Sequence, residues 1–256
     1  MNHAFLNELA EAAGAICVAE SASFKEVSIE YKSARDLVTS VDKKVEAYLR
    51  SRIAAKFPNH SILGEEQGLL DKQSDSCWII DPIDGTNSYI QGLPGYTVSI
   101  ALQRKGEIVA GVVYAPVLGQ MFSAERGKGA CLNNNRITVS GTSKLIDSVL
   151  SSGFACIREG FQPDNLGAFS RVIPNVRDFR RHGSAALDLA WVAAGKLDGY
   201  WEQCLNIYDV AAGVLLVQEA GGMLTDYRGG IDYPAGGLVA TNGLIHEQLR
   251  KLVVEE

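Results

Sequence analysis

Between residues 61 and 124 the chain repeats one pattern: short apolar runs, each closed off by Gly, Pro or Asn. The runs are Ser61–Leu63, Trp78–Ile80, Val98–Leu102, Ile108–Tyr114 and Met121–Ala124. Runs this short and so bounded predict strands, and Lys105-Gly106-Glu107 predicts a hairpin turn between two of them. Two stretches ahead of them carry apolar residues at three- and four-residue spacing, the mark of amphipathic helices. The first holds Phe5, Leu6, Leu9, Ala13, Ile16 and Cys17; the second holds Val41, Val45, Tyr48, Leu49 and Ile53. Thr39 or Ser40 caps the second, and Phe57-Pro58 stops it. Helical spacing returns at Ala185, Leu187, Leu189, Ala190 and Val192, followed by a short strand at Tyr200-Trp201. A helix from Asp209 to Ala220 closes at Gly221-Gly222, and a strand at Leu238–Ala240 precedes a terminal helix at Ile245–Val254. Helices and strands mix without strict βαβ alternation, so an α+β fold of stacked layers is expected rather than a barrel.

With 46% hydrophobic residues over 256 positions, the chain buries enough apolar surface to offset its ordering entropy, which excludes disorder. Its 24 basic and 30 acidic residues leave a net charge of −6, which argues against a coat for nucleic acid or anionic membrane. A small anionic substrate stays open, because a bound cation reverses the local sign. Cys17, Cys77, Cys131, Cys156 and Cys204 are scattered and odd in number, so they are expected as reduced, mostly buried thiols with no zinc site. His3, His60, His182 and His246 are equally dispersed. The N-terminal stretch carries Glu8 and Glu11 and does not read as a signal peptide, and no run approaches the ~20 apolar residues of a membrane span. A cytoplasmic location is therefore expected.

The chemistry concentrates in Trp78-Ile79-Ile80-Asp81-Pro82-Ile83-Asp84-Gly85-Thr86-Asn87. An apolar strand delivers Asp81 at its end, Pro82 forces an extended turn, and Asp84-Gly85-Thr86 opens a helical turn. Two carboxylates so close repel unless a hard cation lies between them, and all-oxygen ligands suit Mg²⁺. The free N–H groups of Gly85 and Thr86 suit a phosphate oxygen. Other acidic points are Gly64-Glu65-Glu66 after a strand, Asp209 at a helix start, and Asp36 and Asp42 in Asp36-Leu37-Val38-Thr39-Ser40-Val41-Asp42. Taken singly, an Asp at a helix start is usually a cap, and paired glutamates after a strand are usually solvated.

In combination and in order, these segments resemble the inositol monophosphatase family, within the Mg²⁺-dependent, lithium-sensitive phosphatases that include fructose-1,6-bisphosphatases. The resemblance runs from about Leu9 to the C-terminus and rests on Asp36–Asp42, Gly64-Glu65-Glu66, Asp81–Thr86 and Asp209–Gly222. Arg180-Arg181-His182-Gly183-Ser184-Ala185-Ala186-Leu187 is similar to the bacterial SuhB-type branch.

The resemblance implies a layered αβαβα sandwich, with subdomains at 1–145 and 146–256 and the site between them. It implies metal ligands at Glu65, Asp81, Asp84 and Asp209 and at the carbonyl of Ile83, for two to three Mg²⁺ ions. It assigns the attacking water to Thr86 and Asp42, with Glu65 also catalytic. Asp84, Gly85, Thr86, Gly183, Ser184, Ala185, Glu202 and Asp209 are implied to bind the substrate, a small phosphorylated polyol or sugar. Glu66 is expected in support or at the surface, and Asp36 is expected to brace its loop. Tyr208 replaces the Trp many members carry, and Asn87-Ser88-Tyr89 departs after the Asp-Gly-Thr; neither departure touches a ligand. The implied activity is hydrolysis of inositol 1-phosphate. The alternatives are fructose 1,6-bisphosphate, histidinol phosphate, NADP and 3′-phosphoadenosine 5′-phosphate. Members are usually homodimers. Some SuhB-type relatives contact the transcription machinery, for which Arg180, Arg181, Lys43, Lys44 and Lys56 are candidate contacts.

Overall fold

The structure, a computed structural model, describes residues 3–21, 29–31, 37–154, 156–157, 160 and 164–254. Asp36 lies outside the described residues. The chain opens with helix α1 (His3–Ser21), a short antiparallel pair β1 (Ile29–Tyr31) and β2 (Leu37–Thr39), and helix α2 (Ser40–Lys56). Thr39 caps α2 as expected: its Oγ1 accepts from the N–H groups of Val41 and Asp42, at 3.1 and 3.3 Å.

An eight-stranded sheet follows, built from β3 (Ser61–Gly64), β4 (Gly68–Leu70), β5 (Ser76–Asp84), β6 (Thr97–Arg104), β7 (Glu107–Ala115), β8 (Gln120–Glu125), β9 (Gly129–Leu132) and β10 (Asn135–Ile137). Its order is β10-β9-β8-β7-β6-β5-β3-β4, antiparallel except where β3 runs parallel to β5. Lys105 and Gly106 both take positive φ, 50° and 83°, and join β6 to β7 in the expected tight hairpin. Helix α3 (Thr86–Ile90) interrupts the sheet after β5.

The second half carries β11 (Val149–Ser152), α4 (Asn165–Val172), β12 (Asp178–Arg180), α5 (Ala185–Ala193), β13 (Gly199–Glu202), α6 (Ile207–Glu219), β14 (Met223–Thr225), β15 (Leu238–Thr241) and α7 (His246–Val253). Its sheet has the order β12-β11-β13-β15-β14.

Three hydrophobic clusters glue these elements into five layers. The first joins Leu6, Leu9 and Cys17 of α1 and Val45, Leu49 and Ile53 of α2 to Trp78, Ile100 and Val112 on one face of the large sheet. The second joins Ile79, Val113 and Phe122 on the opposite face to Leu187 and Leu189 of α5, Leu215 and Leu216 of α6, and Tyr200 and Ala240 of the small sheet. The third joins the far face of that sheet, through Leu150, Trp201 and Val239, to α4 and α7. The result is the αβαβα stack. Close approach in the middle layer depends on two glycines: a Cβ on Gly111 of β7 would stand 2.9 Å from Ala212 Cα of α6, and one on Gly213 of α6 would stand 2.6 Å from Leu189 Cβ of α5.

Three expectations need correction. Strand β5 does not end at Asp81; it runs through Pro82 to Asp84, because the bulge there needs no ladder N–H at the proline. Helix α6 starts at Ile207, two residues before Asp209, so that Asp209 is its third residue rather than its head. Only Cys17 and Cys156 of the five free cysteines are buried; Cys77, Cys131 and Cys204 are half-exposed.

Among the described residues, no helix is long and apolar enough to cross a membrane.

His246, 1% exposed at the start of α7, sits between Thr225 Oγ1 (2.9 Å from Nε2) and Thr241 Oγ1 (3.0 Å from Nδ1). Burial, with the Arg250 charge, holds its pKa below the usual imidazole value. The neutral ring is therefore the folded form, so its contribution is complete above about pH 6.5 and fades as pH falls. A His246→Gln variant should melt below wild type at pH 8, with the gap narrowing by pH 5; circular dichroism melts at the two pH values check this.

Candidate active site

The carboxylates implied by the sequence meet in one cleft of about 500 Å³. The decisive local device is in β5. Asp81 pairs with Ser99 and Asp84 with Thr97, so three steps along β5 match two along β6. Residues three apart in a regular strand point to opposite faces. The extra residue of the bulge restores both aspartates to the same side. Asp81 Oδ1 accepts from Ile83 N–H at 3.0 Å. Asp84 Oδ2 accepts from Ser184 Oγ–H at 2.6 Å and Ala186 N–H at 2.7 Å, which ties the strand end to the start of α5. Gly85 then turns the chain at φ 96°, and a Cβ there would stand 2.9 Å from Gly95 O, so only glycine fits without strain.

Asp42 is fully buried behind this turn. Its Oδ2 accepts from Thr39 N–H (2.8 Å) and Thr39 Oγ1–H (2.5 Å), while its Oδ1 lies 3.1 Å from Thr86 Oγ1. It does not line the cleft; it reaches it through Thr86. Thr86 Oγ1 is also 3.1 Å from Ile83 O, so its single proton has two candidate acceptors.

Asp209 spends Oδ2 on Asn206 N–H (2.6 Å), the helix-capping role expected of an Asp near a helix start, yet it also lines the cleft. Glu202, 6% exposed at the end of β13, accepts from Tyr200 Oη–H at 2.5 Å and packs so tightly on Gly153 that a Cβ there would clash with it.

The electrostatics follow from this crowding. Burial pushes the Asp84 carboxyl up to about 7, with Glu65 and Glu202 adding to the shift against the Ser184 and Ala186 hydrogen bonds. Burial, then Glu65, Asp84, Asp209 and Asp42, raise Asp81 well above the carboxylate range. Burial, then Asp84, Glu65 and Glu202, do the same to Asp209 against the Asn206 N–H. Such mutual penalties are what a hard cation removes, and the donors are all oxygen, so the residues fit Mg²⁺. The carboxylates are not drawn into a finished cage: among the described residues no three His, Cys, Asp or Glu side chains close on one point. Hydrogen bonds hold one oxygen each of Asp81, Asp84 and Asp209.

Of the implied residues, Glu65, Asp81, Ile83, Asp84, Gly85, Thr86, Gly183, Ser184, Ala185, Glu202 and Asp209 all line the cleft. Glu66, expected in support or at the surface, lines it too, and so does Tyr208. Sequence reasoning did not place Gly153, His182, Asp188 or Asn206 there. It also missed Glu46 of α2, whose carboxylate accepts from Glu66 N–H (2.7 Å) and Gln67 N–H (2.9 Å) and so fixes the turn that carries Glu65. No signal marked Glu46, because a glutamate within a helix ordinarily faces water. Of the basic residues considered for partner contacts, Lys44 pairs with Glu20, Arg180 pairs with Asp178, Lys56 covers the Phe5 ring and Arg181 lines the cleft.

The inositol monophosphatase family matches residues 3–256. The chain is 40% identical over 255 residues to an inositol-1-monophosphatase of Mesorhizobium japonicum, covering 98% of this chain and 96% of that protein. It is 42% identical over 224 residues to the Nus factor SuhB of Pasteurella multocida, covering 86% and 84%. The crystal structure of the extragenic suppressor protein SuhB from Bartonella henselae superposes with a TM-score of 0.91 at 36% identity, over 97% of this chain and 96% of that one. An end-to-end match in sequence and fold, around a cleft walled by carboxylates, means that this chain belongs to the inositol monophosphatase family of phosphoric monoester hydrolases.

Proposed function

We propose that the chain hydrolyses the phosphomonoester of a small polyol, inositol 1-phosphate foremost, and that it requires Mg²⁺. One observation carries the metal requirement. Among the described residues, Glu65, Glu66, Asp81, Asp84, Asp188, Glu202 and Asp209 line the cleft against one guanidinium, Arg181. A phosphate dianion entering such a wall is repelled unless cations come with it. Two to three Mg²⁺ ions, held by Glu65, Asp81, Asp84, Asp209 and the Ile83 carbonyl, supply the neutralising charge and the activation of water when bound.

The chain's own residues do the rest. Thr86, with Asp42 accepting its proton, offers a lone pair to the attacking water and orients it. Glu65 joins Asp42 and Thr86 as a catalytic group. The N–H groups at Gly85 and Thr86 receive a phosphate oxygen at the start of α3. Gly183, Ser184, Ala185 and Glu202 border the polyol, and Asp209 takes a hydroxyl beside the phosphate. The name borne by the Mesorhizobium relative supports inositol 1-phosphate as the first substrate to try.

The name borne by the Pasteurella relative supports an additional contact with the transcription machinery. We further read residues 1–145 and 146–256 as two subdomains of a cytoplasmic homodimer. The change of sheet between Ile137 and Val149 supports that boundary.

Phosphate release from inositol 1-phosphate, fructose 1,6-bisphosphate, histidinol phosphate, NADP and 3′-phosphoadenosine 5′-phosphate tests the reading. Highest kcat/KM on the inositol ester, inhibition by Li⁺ and silence in EDTA are expected. Silence on every ester with Mg²⁺ present would defeat it.

A further inference from the structure

His182 stands two residues ahead of Ser184, the N-cap of α5, and its ring turns back along that helix. Its Nδ1 lies 2.6 Å from Oδ1 of Asp188, which is 2% exposed. A carboxylate only accepts, so Nδ1 is the donor of this pair and Nε2 is the ring's second hydrogen-bonding atom. Burial pushes the Asp188 carboxyl up, while the His182 hydrogen bond and the Arg181 charge pull it back. The edge-on contact with Trp191, at 4.4 Å between centroids, holds the ring from a second side. Trp191 is itself fixed by donating Nε1–H to Gln120 Oε1 at 2.9 Å. Nε2 of His182 has no hydrogen-bond partner among the described residues, and the side chain is 22% exposed. His182 and Asp188 line the same cleft as Glu202 and Asp209.

We propose that His182, oriented by Asp188, is a specificity-determining residue that makes a hydrogen bond through Nε2 to a hydroxyl of the polyol part of the substrate. The proposal rests on the phosphatase reading above and deepens it. An imidazole locked on two sides loses little freedom when a hydroxyl arrives, so the contact costs little ordering entropy. Its second ring nitrogen is a hydrogen-bonding atom set in an acidic wall. It therefore takes a hydroxyl without recruiting a cation, and an alcohol lacking that hydroxyl gains nothing from it.

The test is steady-state kinetics in Mg²⁺ with inositol 1-phosphate and with 4-nitrophenyl phosphate, whose aryl group bears no hydroxyl. For His182→Ala, KM for inositol 1-phosphate should rise about fivefold to tenfold while kcat moves far less. The ratio of kcat/KM for the inositol ester over the aryl ester should fall by a similar factor. His182→Gln, whose side-chain amide both donates and accepts, should recover part of that ratio, and it carries the test if the Ala variant fails to fold. A ratio equal to wild type in both variants makes the ring a structural piece only and overturns the proposal. A wild-type enzyme inert toward both esters would instead overturn the phosphatase reading, and this proposal with it.

Discussion

Replacing Asp81 by Asn is expected to cut phosphate release in Mg²⁺ by at least about a hundredfold while making the metal-free protein more stable. Both effects come from one cause. Asp81 is 1% exposed, and Glu65, Asp84, Asp209 and Asp42 all press its carboxyl toward the neutral form. Asn keeps an oxygen for the Ile83 N–H, now at 3.0 Å, and removes the charge. An uncompensated buried charge costs several kcal/mol, and in a chain of this size each kcal/mol is worth roughly 2–4 °C of melting temperature. Because the folded pKa is raised, the wild-type penalty develops as pH rises above the unfolded value near 4. The gain in EDTA should therefore be larger at pH 8 than at pH 5. Melting curves and release assays on the same preparation check both halves; wild-type turnover by Asp81→Asn would remove that residue from the site.

The second large effect is expected far from the reacting atoms. Glu46 is fully buried in α2 and accepts from Arg50 Nε–H at 2.8 Å as well as from Glu66 and Gln67. Gly64 makes room for it, since a Cβ there would stand 2.5 Å from Oε1. Glu46→Ala strips Arg50 of its carboxylate, leaving it only the Gly68 carbonyl, unpairs two N–H groups, and should cost about 3–5 kcal/mol. It should also weaken the Mg²⁺ response about 10- to 100-fold, because Glu65 directly precedes the two turn residues released. Urea unfolding and the Mg²⁺ dependence of the rate measure the two losses. Glu46→Gln, which keeps one accepting oxygen, should fall between; a Glu46→Ala protein with the wild-type midpoint and Mg²⁺ response would sever the link between α2 and Glu65.

The long periodic segments were legible in the sequence because each buries one face. The stripes of α1 and α2 and the apolar runs of β5 to β8 are where expected. So is α5, capped by Ser184, whose Oγ accepts from Leu187 N–H at 3.1 Å. What sequence could not give is structure owed to partners. Val149–Ser152 has two apolar residues, and it is a strand because β12 and β13 run beside it on either side. Short strands such as Asp178–Arg180 and Met223–Thr225 are edges completed by a neighbour's ladder.

The site divides in the same way. Asp81 and Asp84 were found by their chemistry, but the bulge that turns both to one side is visible only in the register with β6. Asp209 reads as a helix-start residue in the sequence, and the structure gives it both the cap and a place in the cleft. Glu46 and His182 escaped notice because a helical glutamate and a lone histidine carry no pattern of their own. Only the fold brings them to Gly64 and to Asp188.

The central claim is that this acidic cleft accepts a phosphate group only together with a divalent cation. Calorimetric titration of the wild-type protein with inorganic phosphate, in EDTA and again in Mg²⁺, tests it most directly. Binding in Mg²⁺, lost in Asp81→Asn and absent in EDTA, is the predicted result; phosphate binding of equal strength in EDTA would contradict it.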